Sequence, residues 1–182
     1  MARNTFSRSL HDIGLSAWFG GTLANAVALN PAAAEASGAG DVGAVANAGW
    51  DRWTPVNAAA IGAHLLSSVV QLQGNSARLH GQQGVASMAL AKTGLTAAAL
   101  GATAYSRVLG KKVSAAHDVP ASSGTQPAAA TPPDVAAAQR QLRILQWAVP
   151  ALTGAIVVIS AFAGEQERAS EVHKGLVKRV VG

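Results

Sequence analysis

Apolar residues gather in four long runs along the chain, at roughly 11–29, 54–74, 84–106 and 144–163. Each run is close to the ~20 residues that a helix needs to cross the hydrocarbon core of a bilayer. None carries the charged outer face that a helix of a water-soluble bundle shows along its length. The pattern therefore predicts an all-α integral membrane protein, an antiparallel bundle of four transmembrane helices. Polar segments separate the runs: a first loop at 30–53, a short hairpin at 75–83, a long loop at 107–133 and a tail at 165–182. Four spans and their connections use up the 182 residues. One membrane domain over 1–182 is expected, with no room for a separate soluble catalytic domain.

Local signals refine the boundaries. Asn30-Pro31 ends the first helix, and Gly38, Gly40 and Gly43 loosen the loop that follows. Trp50 and Trp53 flank Asp51-Arg52, the arrangement of interface anchors whose rings sit among lipid headgroups. Pro55 then fits the first turn of the second helix, where a missing N–H costs nothing. The Pro/Ala/Ser/Thr composition after Lys112 predicts a mobile loop over 107–133 that buries no core. Asp134 is a natural N-cap for a helical lead-in, Val135 to Gln141, to the fourth span. In the tail, Val172, Leu176, Val177 and Val180 alternate with charges, as in a helix lying on a membrane surface. Arg3 and Arg8 before the first run resemble the start of a signal peptide. That run is long for such a segment and holds Asp12, Trp18 and Asn25, so it reads as a retained helix.

Composition narrows the chemistry. Charged residues make up 13% of the chain, about half the share of a soluble domain. The net charge of +5 is spread over loops and tails, not clustered with aromatics, so nucleic acid is not an expected partner. The expected partners are the bilayer itself and another membrane protein or a second copy of the chain. There is no cysteine, which excludes disulfides, thiolate metal sites, iron–sulfur clusters and thiol nucleophiles. Basic residues nearly balance between the two sides of the four-span topology. Helix 1 breaks the tie, because Arg3 and Arg8 precede it and no base follows until Arg52. Both termini are therefore expected in the cytoplasm, with the protein in the bacterial plasma membrane.

Each span also carries a polar or small seam. In the first it is His11, Trp18 and Asn25, with Gly14 and Gly21; in the second Asn57, His64 and Gln71, with Ser68 alongside. In the third it is Lys92, Thr96, Ala99, Thr103 and Ser106, with Gly94 and Gly101 nearby; in the fourth Gln146, Thr153 and Ser160, with Pro150 on the same side. Steps of seven keep residues on one seam of a left-handed bundle. Such seams either glue helices together or line a polar pathway.

Two residues stand out by depth. His64 and Lys92 lie almost equally far on either side of the 75–83 hairpin, so an antiparallel pair places them level near mid-membrane. An ionisable group there costs several kcal/mol unless it is paired or hydrated. Asp12, near the start of helix 1, is the candidate counter-ion for Lys92. The Asp12, His64 and Lys92 centre is either a structural pair with a snorkelling lysine or a relay for protons or anions. His11 and His64 are the two histidines within spans, and counting residues sets them roughly 10 Å apart in depth. They are then poor joint ligands, and no spacing suggests that His11, His80 and His173 form a site. No metal, cofactor or catalytic residue is expected, since phosphate loops, serine-nucleophile turns and paired catalytic carboxylates are all missing.

The segment His11-Asp12-Ile13-Gly14-Leu15-Ser16-Ala17-Trp18-Phe19-Gly20-Gly21 resembles the first helix of small four-helix bacterial membrane families, among them the CopD-like copper-resistance proteins. That resemblance implies copper transport. With its Asn47-Ala48-Gly49-Trp50 and Trp53-Thr54-Pro55-Val56-Asn57 segments, the chain is also similar to uncharacterised membrane proteins of high-GC bacteria, which implies no activity. The leading expectation is a non-enzymatic accessory or scaffold subunit acting by helix packing or partner binding. The alternatives are a small transporter or ion-handling protein using the polar centre, and a membrane haem or copper protein.

Overall fold

A computed structural model describes residues 5–74, 84–116 and 118–166. The chain is all-α apart from one small strand pair. Four long helices account for most of it: α1 (Thr5–Ala24), α2 (Ala39–Gly74), α3 (Val85–Ala115) and α4 (Pro133–Gln166). They run up and down, and α1 lies against α2 and α4 while α4 lies against α3. Though joined by the short 75–83 connection, α2 and α3 barely meet, which leaves a cleft between them. The connection itself and the tail beyond Gln166, with its expected surface helix, lie outside the described residues.

Three helices are long and apolar enough to cross a membrane, over Gly40–Gly74, Val85–Ala115 and Pro133–Glu165. With α1, Ser7, His11, Trp18 and Thr22 go inward, and this polar share dilutes its hydropathy. The seams face inward in the other helices too. Asn57, His64, Ala99 and Thr153 are buried, while Leu66, Leu90, Ile144 and Phe162 point outward. A soluble bundle has the reverse arrangement. The central core joins Leu15, Trp18, Ala99, Val149 and Ile156. Gly14 makes the closest helix crossing: a Cβ there would lie 2.5 Å from the Ala60 carbonyl oxygen and 2.8 Å from the His64 nitrogen. Gly94 and Gly101, expected beside the α3 seam, instead face open space.

The helices overrun the expected spans. α2 has 36 residues, about 54 Å at 1.5 Å per residue, and starts well before position 54. Pro55 is thus inside the helix, not in its first turn. The Ala-rich stretch from Ala44 on carries the helix through the region read as a loop, and the Leu29 side-chain tip packs over Gly49. At the end of α1 the ladder widens into a π-turn over Asn25–Leu29, then runs through short helical turns to Glu35.

The expected mobile loop at 107–133 is replaced by ordered structure with buried residues. Its first part continues α3 to Ala115, and Val113 joins a core with Leu109, Val135 and Ala138. Strands β1 (Ala121–Ser123) and β2 (Gln126–Pro127) follow as an antiparallel pair. Ala121 packs with Ala33, Val42 and Ala46. The Thr131 hydroxyl holds the base of the hairpin, donating to the Pro120 carbonyl at 2.5 Å and accepting from the Ala128 N–H at 2.8 Å. Composition argued against a core here because it cannot register small side chains docking onto helices that extend to meet them.

Candidate functional site

The α2–α3 cleft holds two cavities, one toward each end of the bundle. The larger, about 380 Å³, lies toward the start of α1 and the end of α4 and is lined by His11, His64, Ser68, Lys92 and Thr96 among apolar residues. The smaller, about 200 Å³, lies under the β-hairpin. Trp18 is fully buried at the level between them. Its ring centroid is 6.2 Å from that of His64, and its N–H donates to the Thr103 hydroxyl at 3.2 Å.

The larger cavity contains the polar centre. The ring of His11 stacks at a tilt on His64, with centroids 4.6 Å apart. Its Nδ1 lies 2.8 Å from the Asp12 carboxylate and its Nε2 lies 3.5 Å from the Lys92 ammonium. An ionised carboxylate only accepts and an ammonium only donates. The geometry therefore suits a neutral His11 that gives its Nδ1 proton to Asp12 and offers its Nε2 lone pair to Lys92. His64 is almost completely buried, and its Nδ1 has no hydrogen-bond partner among the described residues. Its carbonyl accepts from Ser68 at 2.7 Å and from Ser67 at 3.0 Å, which ties those hydroxyls to the helix.

Of the residues singled out from sequence, His64 and Lys92 share this cavity. Asp12 contacts His11, its side chain 70% exposed at the outer edge of the bundle. The expected direct Asp12–Lys92 pair is replaced by a contact through His11. Depth counting had set His11 and His64 far apart because it started α1 and α2 too late. The Gly14 crossing brings α1 onto α2 at Ala60–His64, one helical turn from His11. The seven-residue seam through His11 and Trp18, together with Gly14, was the signal for this contact. Among the described residues no three His, Cys, Asp or Glu side chains converge as metal ligands.

Trp50 and Trp53, the candidate interface anchors, are half-buried and make contacts within the bundle. The Trp50 N–H donates to the Asn30 side-chain oxygen at 3.0 Å, and the Trp53 ring lies where a Cβ on Gly21 would be. Trp147, half exposed on α4, has the outward position foreseen for them. Asn30 is a center that residue reasoning passed over as a helix end. It is buried, its amide donates to Gln146 at 2.8 Å, and its carbonyl accepts from the Gly124 N–H at 3.2 Å. Thr125 adds a bond to Gln146 at 3.3 Å, so the turns after α1 meet α2, α4 and the hairpin at one neutral network. Beside it Asp51 and Arg107 pair at 2.8 Å across the cleft.

Compared with family models, curated proteins and solved structures, the chain has no match.

Proposed function

We propose that this chain is a non-enzymatic, multi-pass protein of the bacterial plasma membrane, with all four helices spanning and both termini cytoplasmic, and that it handles protons at the His11–His64–Lys92 centre. The inside-out distribution of polarity supports the membrane reading, α1 included, since Phe6 and Ile13 face outward while its hydrogen-bonding residues face in. The observation that carries the functional reading is the Lys92–His11–Asp12 chain, which runs from a cavity to the edge of the bundle. Packing glue would be closed on itself. Here a buried imidazole keeps an unpartnered nitrogen, and the helices beside the cavity stay apart.

The relay balances. Lys92 gives a proton to Nε2 of His11, and His11 releases the proton on Nδ1 to Asp12. This leaves a neutral amine, a neutral carboxyl and the other imidazole tautomer. Net transfer is completed when the amine takes a proton from water in the cavity, the exposed Asp12 carboxyl releases one to solvent and the imidazole flips back to its first tautomer; the reverse transfer alone moves no net proton. Reconstitution in liposomes with an internal pH dye and an imposed potential tests the proposal. Wild type should acidify or alkalinise the lumen according to the sign of the potential, and Lys92→Met should lower the rate at least tenfold. Wild-type flux equal to that of empty vesicles would overturn it. A second reading, an accessory subunit that receives a partner helix, draws on the poor contact between α2 and α3. A stoichiometric co-purifying membrane protein without flux would favour it.

A further inference from the structure

The two cavities follow one seam. Along α3 the larger is lined from Val85 to Leu100 and the smaller from Thr103 to Ser114. Along α2 the smaller is lined from Asn47 to Ile61 and the larger from His64 to Leu72. On both helices the change of cavity falls on one step along a face, from Ile61 to His64 and from Leu100 to Thr103. The partition is therefore about 4.5 Å thick, close to one helical turn. From Val85 to Ser114 the seam runs about 44 Å at 1.5 Å per residue, longer than the ~30 Å hydrocarbon core of a bilayer.

Trp18 fills the partition. It comes from α1 and is the largest of the fully buried side chains among the described residues. Its N–H bonds to Thr103, a wall of the smaller cavity, and its ring centroid lies 6.2 Å from that of His64, a wall of the larger. Ile61 and Leu100, wall residues at the break, pack against the same core. Polar groups draw water to each side. Lys92 in the larger cavity needs hydration at membrane depth. Half-buried Asn47, Arg107 and Ser114 line the smaller toward the hairpin end. The hairpin packs on α2 and α4 and scarcely on α3, so it leaves the α3 side of that end uncovered.

We infer that the two cavities are water vestibules entered from opposite ends of the bundle, and that the Trp18 ring, latched to Thr103, is the closed gate between them. The inference rests on the membrane reading proposed above and supplies what the relay lacks. That relay starts in the larger cavity and finishes at Asp12, both toward the end where α1 starts. Transfer across the bilayer therefore needs water from the hairpin end. Swinging the ring off Thr103 joins the vestibules beside His64.

Sided labelling tests the gate. The chain has no cysteine, so Thr96→Cys and Ser106→Cys each place a single thiol, one in each cavity. The probe is a membrane-impermeant, anionic methanethiosulfonate, added to spheroplasts or to inverted membrane vesicles. The two thiols should react from opposite sides, each at least about tenfold faster from its own side, as a gate open in at most about a tenth of the molecules allows. Trp18→Ala should erase the sidedness of both. Where Trp18→Ala does not fold, Trp18→Phe, which loses the bond to Thr103 and part of the ring, should raise the slow rates several-fold. Thiols that react from neither side, or both from the same side, would overturn the inference. So would sidedness unchanged in the folded Trp18 variants, since the partition is then a fixed wall. Carbonate extraction separates the two levels: a chain that leaves the membrane pellet fails the membrane reading as well, whereas one that stays there with unreactive thiols fails the gate alone.

Discussion

At the hairpin end of the α2–α3 cleft, neutral amides, hydroxyls and a strand pair close the space; at the terminal end, ionisable side chains stand in the gap. Asn30, Gln146, Trp50 and Thr125 bond to one another, and the hairpin backbone adds a further bond. His11, His64 and Lys92 make fewer hydrogen bonds around a larger cavity, and the Lys92–His11 contact is long, at 3.5 Å. A closed neutral network fixes geometry, whereas half-satisfied ionisable groups keep more than one proton arrangement within reach. The comparison assigns rigidity to one end and chemistry to the other.

The largest effect should come from separating α1 from α2 at the Gly14 crossing. Gly14→Leu drives its side chain into the Ala60 carbonyl and the His64 nitrogen, and backbone cannot yield as a flexible side chain can. Overpacking of this kind costs about 1–3 kcal/mol, occasionally more. Thermal unfolding in detergent should show it, or the variant should fail to fold. Gly20→Leu, with nothing within 4 Å of the added Cβ, should stay near wild type. Equal stability of the two variants would mean that the helices do not cross at Gly14, and the His11–His64 contact would lose its support.

The hairpin gives the next effect, and it should affect only its own end. Deleting Ala121 to Ala130 removes the buried Ala121 and Thr125 and takes the Thr125 and Gly124 partners from the Gln146–Asn30 network. A loss of about 2 kcal/mol is expected, from one to two orphaned bonds and the exposed alanine core. Chain closure should not be the cause, since the Thr131 hydroxyl already bonds to the Pro120 carbonyl across the gap to be bridged. Unfolding measurements would reverse this assignment if the deletion were neutral, the result that the Pro/Ala composition alone suggests.

Much of the architecture was legible because period and polarity agree in the same residues. The inward seams follow from seven-residue steps such as His11–Trp18–Asn25, and the structure buries all three. Helix ends were harder to read. Alanine continues a helix into a segment of low hydropathy, so α2 and α4 extend past the apolar runs that announced them. Neighbourhood was harder still. Sequence proximity suggested that α2 and α3 pack as a pair, but the crossing at Gly14 and the central core draw α1 between α2 and α4. His64 and Lys92 therefore face each other across a cavity, and His11 occupies the place given to a direct ion pair.

The smallest effect sharpens the comparison most, because it asks through which atoms Lys92 senses Asp12. Solvent screens the exposed carboxylate, so coupling between Asp12→Asn and Lys92→Met should stay under about 1 kcal/mol in a double-mutant cycle. The structure routes that coupling through the His11 ring, at 2.8 Å on one side and 3.5 Å on the other. Repeating the cycle in a His11→Phe background should therefore abolish it. At the hairpin end Asp51 and Arg107 touch directly at 2.8 Å, so their coupling should persist in the same background. If the Asp12–Lys92 coupling persists as well, the lysine reaches the carboxylate without the imidazole. The terminal end then holds a simple ion pair, like its counterpart, and the relay loses its central member.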